Sequence, residues 1–311
     1  MRAFGRFAWS FLAYNLAVIG WGAFVRATGS GAGCGRHWPT CQGAIIPRAP
    51  ALETVIEFTH RATSGIAMIL AVILVVWARR VYAPGHAARR AAWAALAFMV
   101  TEALLGAGLV LFGWVAATAS LARGWAMAAH LANTFLLLAS IALTAAWSDA
   151  PAGGLRLRRD SRPAPWLAAG AVATLLAGVT GAVAALGDTL FPATTFAEGL
   201  RQELSSQAHL LLRLRVLHPF AALGAAAVLL TAARAATRAR PVRPVQRAAL
   251  ALGALVVIEV AAGVVNLALL APIWLQVVHL LLADLVWVTL VLLAAAALAP
   301  AGELPGATRT G

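Results

Sequence analysis

Glu57-Phe58-Thr59-His60-Arg61 stands at the head of an apolar run that continues to Ala78. An acid, an imidazole and a guanidinium therefore open a segment long enough to cross a bilayer. On insertion scales Asp, Lys or Arg costs roughly 2.5–3.5 kcal/mol at the centre of a membrane helix, and less near its ends. A chain that keeps such groups there generally uses them. Three more histidines, His130, His218 and His279, recur at similar depth in later apolar runs.

The remainder of the chain agrees with a membrane reading. It has 311 residues, 62% of them hydrophobic and 11% charged, with a mean hydropathy of +0.84. That is the profile of a polytopic membrane protein and excludes an ordinary soluble domain. The net charge of +13 comes from 24 arginines and no lysine. These arginines are spread over short loops between apolar runs, which speaks for membrane lipid and against nucleic acid as the partner. Phe7 to Val25 is too long for the apolar core of a signal peptide, and an uncleaved first helix is expected.

A span needs about 20 mostly apolar residues. Eight are expected, at 7–26, 53–78, 91–113, 119–147, 165–186, 207–233, 246–270 and 273–298. Helices are the default, because lipid offers no partner to an unpaired backbone group. Arg2 and Arg6, then Arg79, Arg80, Arg89 and Arg90, then Arg156, Arg158, Arg159 and Arg162 fall on one side of the membrane. Arg234, Arg238, Arg240, Arg243, Arg247 and Arg309 join them there. The positive-inside rule makes that side, and both termini, cytoplasmic. Two long loops, 27–52 and 187–206, lie outside. The four histidines each sit some 7–12 residues into an even-numbered helix, about 10–18 Å along the axis, in the outer half of the membrane.

The halves resemble each other. Val100-Thr101-Glu102-Ala103-Leu104-Leu105-Gly106 in helix 3 parallels Val257-Ile258-Glu259-Val260-Ala261-Ala262-Gly263 in helix 7. Ala129-His130-Leu131 parallels Val278-His279-Leu280, and Gly22-Ala23 parallels Gly181-Ala182. The expected fold is all-α and integral to the membrane, two pseudo-symmetric four-helix bundles, residues 1–150 and 151–311.

Two imidazoles facing across a bundle can ligate one metal axially, as they do a haem iron. Small residues such as Gly65, Gly106 and Gly263 leave room for a flat macrocycle. Any one intramembrane histidine can be a hydrogen-bonded packing residue, but four in matched pairs make packing alone a poor account. Zinc is disfavoured because neither half clusters four ligands. A proton relay including Glu102 and Glu259 remains open. His37, His86 and His209 are expected to be ordinary solvated residues.

The symmetry breaks beside two of these histidines. Glu57 precedes His60 by three residues, sharing its helix face one turn further out. Arg215 takes that place before His218. An arginine there suits a haem propionate. A carboxylate would repel one, and suits proton handling or, alternatively, a salt bridge with Arg61. The C-terminal half is therefore expected to hold a permanent haem and the N-terminal half to do chemistry. Cys34 and Cys41 share the first outer loop, where a disulfide is permitted. A structural staple and a redox role both stay open.

At these residues the chain resembles the haem A synthase family. The matching stretches are Val25-Arg26-Ala27-Thr28-Gly29-Ser30-Gly31 with Cys34 and Cys41, Glu57-Phe58-Thr59-His60-Arg61, and His130-Leu131-Ala132-Asn133-Thr134-Phe135. Arg213-Leu214-Arg215-Val216-Leu217-His218-Pro219 and Gln276-Val277-Val278-His279 complete the match. The resemblance implies that His218 and His279 ligate a haem B cofactor and that His60 and His130 line a pocket for the haem O substrate. It makes Glu57 the required acid and Cys34–Cys41 the outer cysteine pair. It implies oxidation of the C8 methyl of haem O to a formyl group, with water as oxygen source, in a prokaryotic plasma (inner) membrane. Haem O synthase would be the donor, and cytochrome oxidase assembly would receive the haem A. Leu131 departs from relatives that carry Arg after this histidine. Two other readings compete: a bis-histidine cytochrome b-type electron carrier, against which the Glu57/Arg215 asymmetry speaks, and a transporter, for which a pair of broken helices is missing.

Overall fold

A computed structural model describes residues 2–149 and 161–300. The 150/151 boundary between the halves, Arg156, Arg158, Arg159 and Arg309 lie outside the described residues. Eight helical segments are long and apolar enough to cross a membrane. In chain order they are α1 (Arg2–Ala27), α2 (Leu52–Val81), α3 (Ala87–Leu111), α4 (Leu121–Ala146), α5 (Ala164–Leu190), the pair α7 (Leu210–Arg215) and α8 (Leu217–Ala239), α9 (Arg243–Ala268) and α10 (Ile273–Leu298). An even number of crossings brings the ends of α1 and α10 to the same side.

Two features depart from the sequence expectation. The sixth span, read as one helix, is divided at Val216. Pro219 accounts for the break, since it has no N–H for the Arg215 carbonyl and its ring crowds that carbonyl. The outer segment 187–206 is also not all loop. Asp188 lies within α5, and a short helix α6 (Phe196–Leu204) follows it. Thr195 caps α6 by accepting from the Glu198 N–H at 3.1 Å, and Glu198 reaches back to the Thr194 N–H at 2.8 Å, a variant of the capping box.

Helices α1 to α4 pack as a ring of neighbours, and α5, α8, α9 and α10 form a second ring. The repeat extends to its caps. α3 ends at Gly113 (φ 70°), with the Trp114 N–H donating to Leu109 O at 2.8 Å; α9 ends the same way at Leu270 (φ 59°), with Ala271 N–H donating to Asn266 O at 2.7 Å. Glycine takes this left-handed turn freely, and leucine takes it at a cost of about 1–2 kcal/mol.

The rings meet along α1, α4, α5 and α10 through small residues that accept large ones. Gly20 of α1 faces Leu281 and Val277 of α10, and Gly178 of α5 faces Leu131 and Phe135 of α4. Trp287 of α10 stacks on Phe135 with centroids 5.1 Å apart and donates its indole N–H to the Phe135 carbonyl at 2.6 Å. Leu131, the departure noted in the sequence, is thus a packing residue between halves. Of the histidines expected to be solvated, His86 is buried, and both it and the half-exposed His209 cap helices. His86 is 4% exposed, stacks on Tyr82 and accepts from the Ala88 N–H at 3.2 Å; His209 accepts from the Leu211 N–H at 3.2 Å. His37 is exposed.

Candidate functional site

Each intramembrane histidine rests on a glycine of the preceding transmembrane span. A Cβ on Gly22, Gly106, Gly181 or Gly263 would lie 2.8, 3.9, 2.9 or 3.1 Å from Cε1 of His60, His130, His218 or His279, respectively. Glycines read as room for a macrocycle thus make room for the imidazoles. Gly65 and Gly224 have nothing within 4 Å of such a Cβ, so open space adjoins the second helix of each ring.

In the C-terminal half the His218 and His279 rings stand 6.2 Å apart, centroid to centroid, with planes at 71°. Two imidazoles that share one metal, with bonds of about 2 Å each, need close to this separation. Nδ1 of His218 lies 3.1 Å from the Ala177 carbonyl and 3.4 Å from Thr180 Oγ1. Nδ1 of His279 faces Glu259 Oε1 at 3.1 Å. Backing one ring nitrogen leaves Nε2 for a metal and fixes the ring. Among the described residues no three His, Cys, Asp or Glu side chains converge to hold a bare ion. Two imidazoles alone fit a metal that brings its own in-plane ligands, as haem iron does.

The N-terminal half repeats this plan with differences. His130 Nε2 lies 3.6 Å from Glu102 Oε1, whereas Glu259 faces the Nδ1 of His279, so the acid meets a different ring nitrogen in each half. Glu102 accepts further bonds from Asn133 Nδ2 and Thr134 Oγ1, both at 2.5 Å. Glu57 is 3% exposed. Its Oε1 accepts from Arg61 Nε at 3.0 Å and from Nη2, and its Oε2 accepts from the Cys34 N–H at 2.7 Å. Arg61 Nη1 donates to the carbonyls of His37 (2.6 Å) and Thr40 (2.7 Å). Cys34 and Cys41 are disulfide-bonded, and Thr54 Oγ1 donates to Gly33 O at 2.8 Å. The loop is therefore seated on the outer end of α2, and Glu57 is both its anchor and the acid one turn above His60.

Arg215 is engaged on two sides. Nη1 meets Asp188 Oδ1 at 2.8 Å and Nε meets Glu203 Oε1 at 2.6 Å, which ties α6 to α5 and α7. Two charged residues, Asp284 and Arg123, escaped the sequence reading, and Arg26 was quoted there without a role. Asp284 of α10 is 0% exposed, and no described group donates to either oxygen. Arg123 is 3% exposed at the start of α4. Arg26 of α1 reaches across the halves to α5 and α10. A charge within an apolar run was the available signal for Asp284.

Fold and site together define a polytopic membrane protein of two similar four-helix rings, the second of which presents a histidine pair at a separation suited to haem. The model of the COX15-CtaA family of cytochrome oxidase assembly proteins matches residues 5–291, and the chain belongs to this haem A synthase family. It is 49% identical over 292 residues to a protein of Thermus thermophilus named protoheme IX farnesyltransferase, covering 94% of this chain and 48% of that one. Heme A synthase of Alkalihalophilus pseudofirmus is 44% identical over 98 residues, 32% of this chain and 33% of its own. Heme A synthase of Halalkalibacterium halodurans is 38% identical over 135 residues, 43% and 45% of the two chains. This chain spans about half the length of the Thermus relative.

Proposed function

We propose that the chain oxidises the C8 methyl of haem O to a formyl group, producing haem A for cytochrome oxidase assembly, in the plasma membrane with both termini cytoplasmic. The observation that carries this reading is the asymmetry between two otherwise matched histidine pairs. Glu57 stands one turn outside His60, and Arg215 stands one turn outside His218. Residues 151–311 hold a haem B through His218 and His279; when bound, it supplies one-electron chemistry. Residues 1–150 receive haem O between His60 and His130. Arg215 would be a propionate partner of the cofactor haem; Asp188 and Glu203 hold two of its nitrogens.

Converting methyl to formyl with water as oxygen source releases protons and electrons in equal number, and the electrons pass to an acceptor outside the chain. Glu57 accepts protons, and its bonds to Arg61 and the Cys34 amide hold the carboxylate in a fixed position. Glu259, beside Nδ1 of His279, supports that ring from the side away from its Nε2. The farnesyltransferase name of the Thermus relative belongs to a chain of which less than half is matched here. Farnesylation of protohaem is the step that would supply haem O, so the name agrees with a synthase of that kind as donor.

The test is the haem content of membranes that contain this chain and a supply of haem O, with the extracted haems separated and identified by mass. Haem A is expected with the intact chain and not with Glu57→Ala. Equal conversion by Glu57→Ala would overturn the assignment of the acid. Bound haem B with haem O left unconverted would instead make the chain a bis-histidine electron carrier.

A further inference from the structure

The guanidinium groups at the outer ends of α1 and α4, Arg26 and Arg123, have no carboxylate among their hydrogen-bond acceptors. Arg123 stands seven residues before His130, two turns up the same face of α4 and about 10 Å along its axis. Its Nη1 donates to the carbonyls of Ala116 (2.6 Å) and Thr118 (3.0 Å), and Nε has no acceptor. Arg26 stands one turn beyond Gly22, the glycine on which the His60 ring rests. Its Nη1 donates to Ala185 O and Thr189 Oγ1, both at 2.7 Å, and its Nη2 donates to Gln276 Oε1 at 2.8 Å. The two cations stand at the outer ends of α1 and α4, which pack against each other. Asp188, which precedes Thr189, is bonded to Arg215.

Two like charges at the mouth of a membrane pocket are costly unless an anion joins them. Neither has a cationic equivalent in the other half: Ala185 takes the place of Arg26 and Pro272 that of Arg123. Arg123 stands on the helix of His130, above the pocket of His60 and His130, and Arg26 stands at the seam between that pocket and the C-terminal half. A haem carries two carboxylates on one edge, and arginine binds carboxylates through charge-assisted, often paired, hydrogen bonds. We propose that Arg26 and Arg123 receive the two propionates of the substrate haem. The inference rests on the assignment of that pocket to haem O. It also accounts for Leu131: the position beside His130 serves packing against Gly178, and the same helix supplies its cation two turns further out. Arg26 carries a second consequence. It is bonded to α5 and α10, so a propionate held there is linked to the half that holds the cofactor.

The test uses the purified full chain with its C-terminal haem in place. Protohaem and protohaem dimethyl ester, whose propionates are blocked, are each titrated as a second equivalent and followed by absorbance. The intact chain should bind the free acid at least about tenfold more tightly than the ester. Arg123→Gln and Arg26→Gln should each weaken the acid about tenfold and leave the ester unchanged, and Arg123→Lys should recover part of the loss. Equal affinity for acid and ester in the intact chain would overturn the inference and leave the substrate pocket standing. A parallel loss for acid and ester in the variants would also overturn it, by showing a packing role. Failure of the intact chain to bind any second equivalent would overturn the pocket itself and this inference with it. Loss of the first haem with the second retained would place the anion in the other half, against the proposal.

Discussion

Gly181 and His218 are fitted to each other: a methyl group on Gly181 would lie 2.9 Å from Cε1 of the imidazole. The glycine of α5 thereby sets how far the ring can withdraw from the centre of its bundle. Gly22 does the same for His60 at 2.8 Å, whereas Gly106 stands 3.9 Å from His130, at ordinary contact distance.

Gly181→Ala should therefore displace His218 and lower the haem content of the C-terminal half. Overpacking costs about 1–3 kcal/mol, which is about a five- to hundredfold loss of affinity. Gly22→Ala should leave that haem in place and weaken binding at the N-terminal pocket. Gly106→Ala should be tolerated. Haem-to-protein ratios and second-equivalent titrations check all three, and equal behaviour of Gly106→Ala and Gly181→Ala would contradict the account.

The Glu57–Arg61 pair and the disulfide hold one loop by different means. Arg61→Ala removes the two carbonyl contacts to His37 and Thr40 and leaves a buried carboxylate with the Cys34 amide as its remaining donor. Breaking a buried pair costs about 3–5 kcal/mol. Arg61 keeps 13% side-chain exposure, so a loss of about 2–3 kcal/mol is expected. Replacing both cysteines by serine should cost about 2 kcal/mol through the freed loop. Thermal midpoints give both losses. A smaller loss from Arg61→Ala than from the cysteine pair would mean that the loop is held chiefly by its disulfide.

Much of this was legible in the sequence, because it lies in local patterns. Apolar runs marked the eight spans, and the recurrence of Glu102 with His130 and Glu259 with His279 marked the repeat. What stayed hidden depends on contacts between distant segments. Nothing local says that Gly22 meets His60, or that Arg26 reaches Gln276, 250 residues away. Pro219 was readable as a breaker, yet the continuous hydrophobicity of 207–233 outweighed it. His86 looked like a loop residue, and its burial comes from stacking on Tyr82. Arg123 was overlooked because a lone arginine near a helix start resembles a solvated end.

The cap of α6 gives a pH dependence of known sign. The Thr194 hydroxyl, followed by its backbone N–H, holds the Glu198 carboxyl below its ordinary range. A depressed folded value means that the cap contributes fully above the ordinary carboxylate pKa of about 4.3 and is lost as pH falls through the lower folded value. Hydrogen exchange in 194–204 should thus be faster at the acid end in the intact chain than the intrinsic rate predicts. Glu198→Gln should remove that acid-dependent step. An unchanged step in the variant would assign it to another group, such as Glu203.

Arg215 joins three elements, so its loss should free α6. Arg215→Ala leaves Asp188 and Glu203 without their cation, at side-chain exposures of 26% and 17%. Because both acids retain some access to solvent, the expected cost is about 1–3 kcal/mol. Limited proteolysis should cut within 196–204 sooner than in the intact chain. Arg215→Lys restores charge and not the two-sided geometry, so partial protection is expected. Full protection in the alanine variant would show that α6 is held by other contacts.

Asp284 is the side chain whose local environment least justifies it. It is fully buried on α10, and no described group bonds to either of its oxygens. An unpaired buried polar group costs about 1–3 kcal/mol. Removing it leaves a small cavity, worth under about 1 kcal/mol for so short a side chain. Asp284→Ala should therefore raise the thermal midpoint by the equivalent of about 1–2 kcal/mol. Asp284→Asn keeps the polar atoms in the same space and should gain less. Membrane chains keep such residues where they serve an activity, so the stabilised alanine variant is expected to turn over more slowly than the parent. A drop in stability of similar size in Asp284→Ala would show that the carboxyl has a partner, and the argument from its isolation would fail.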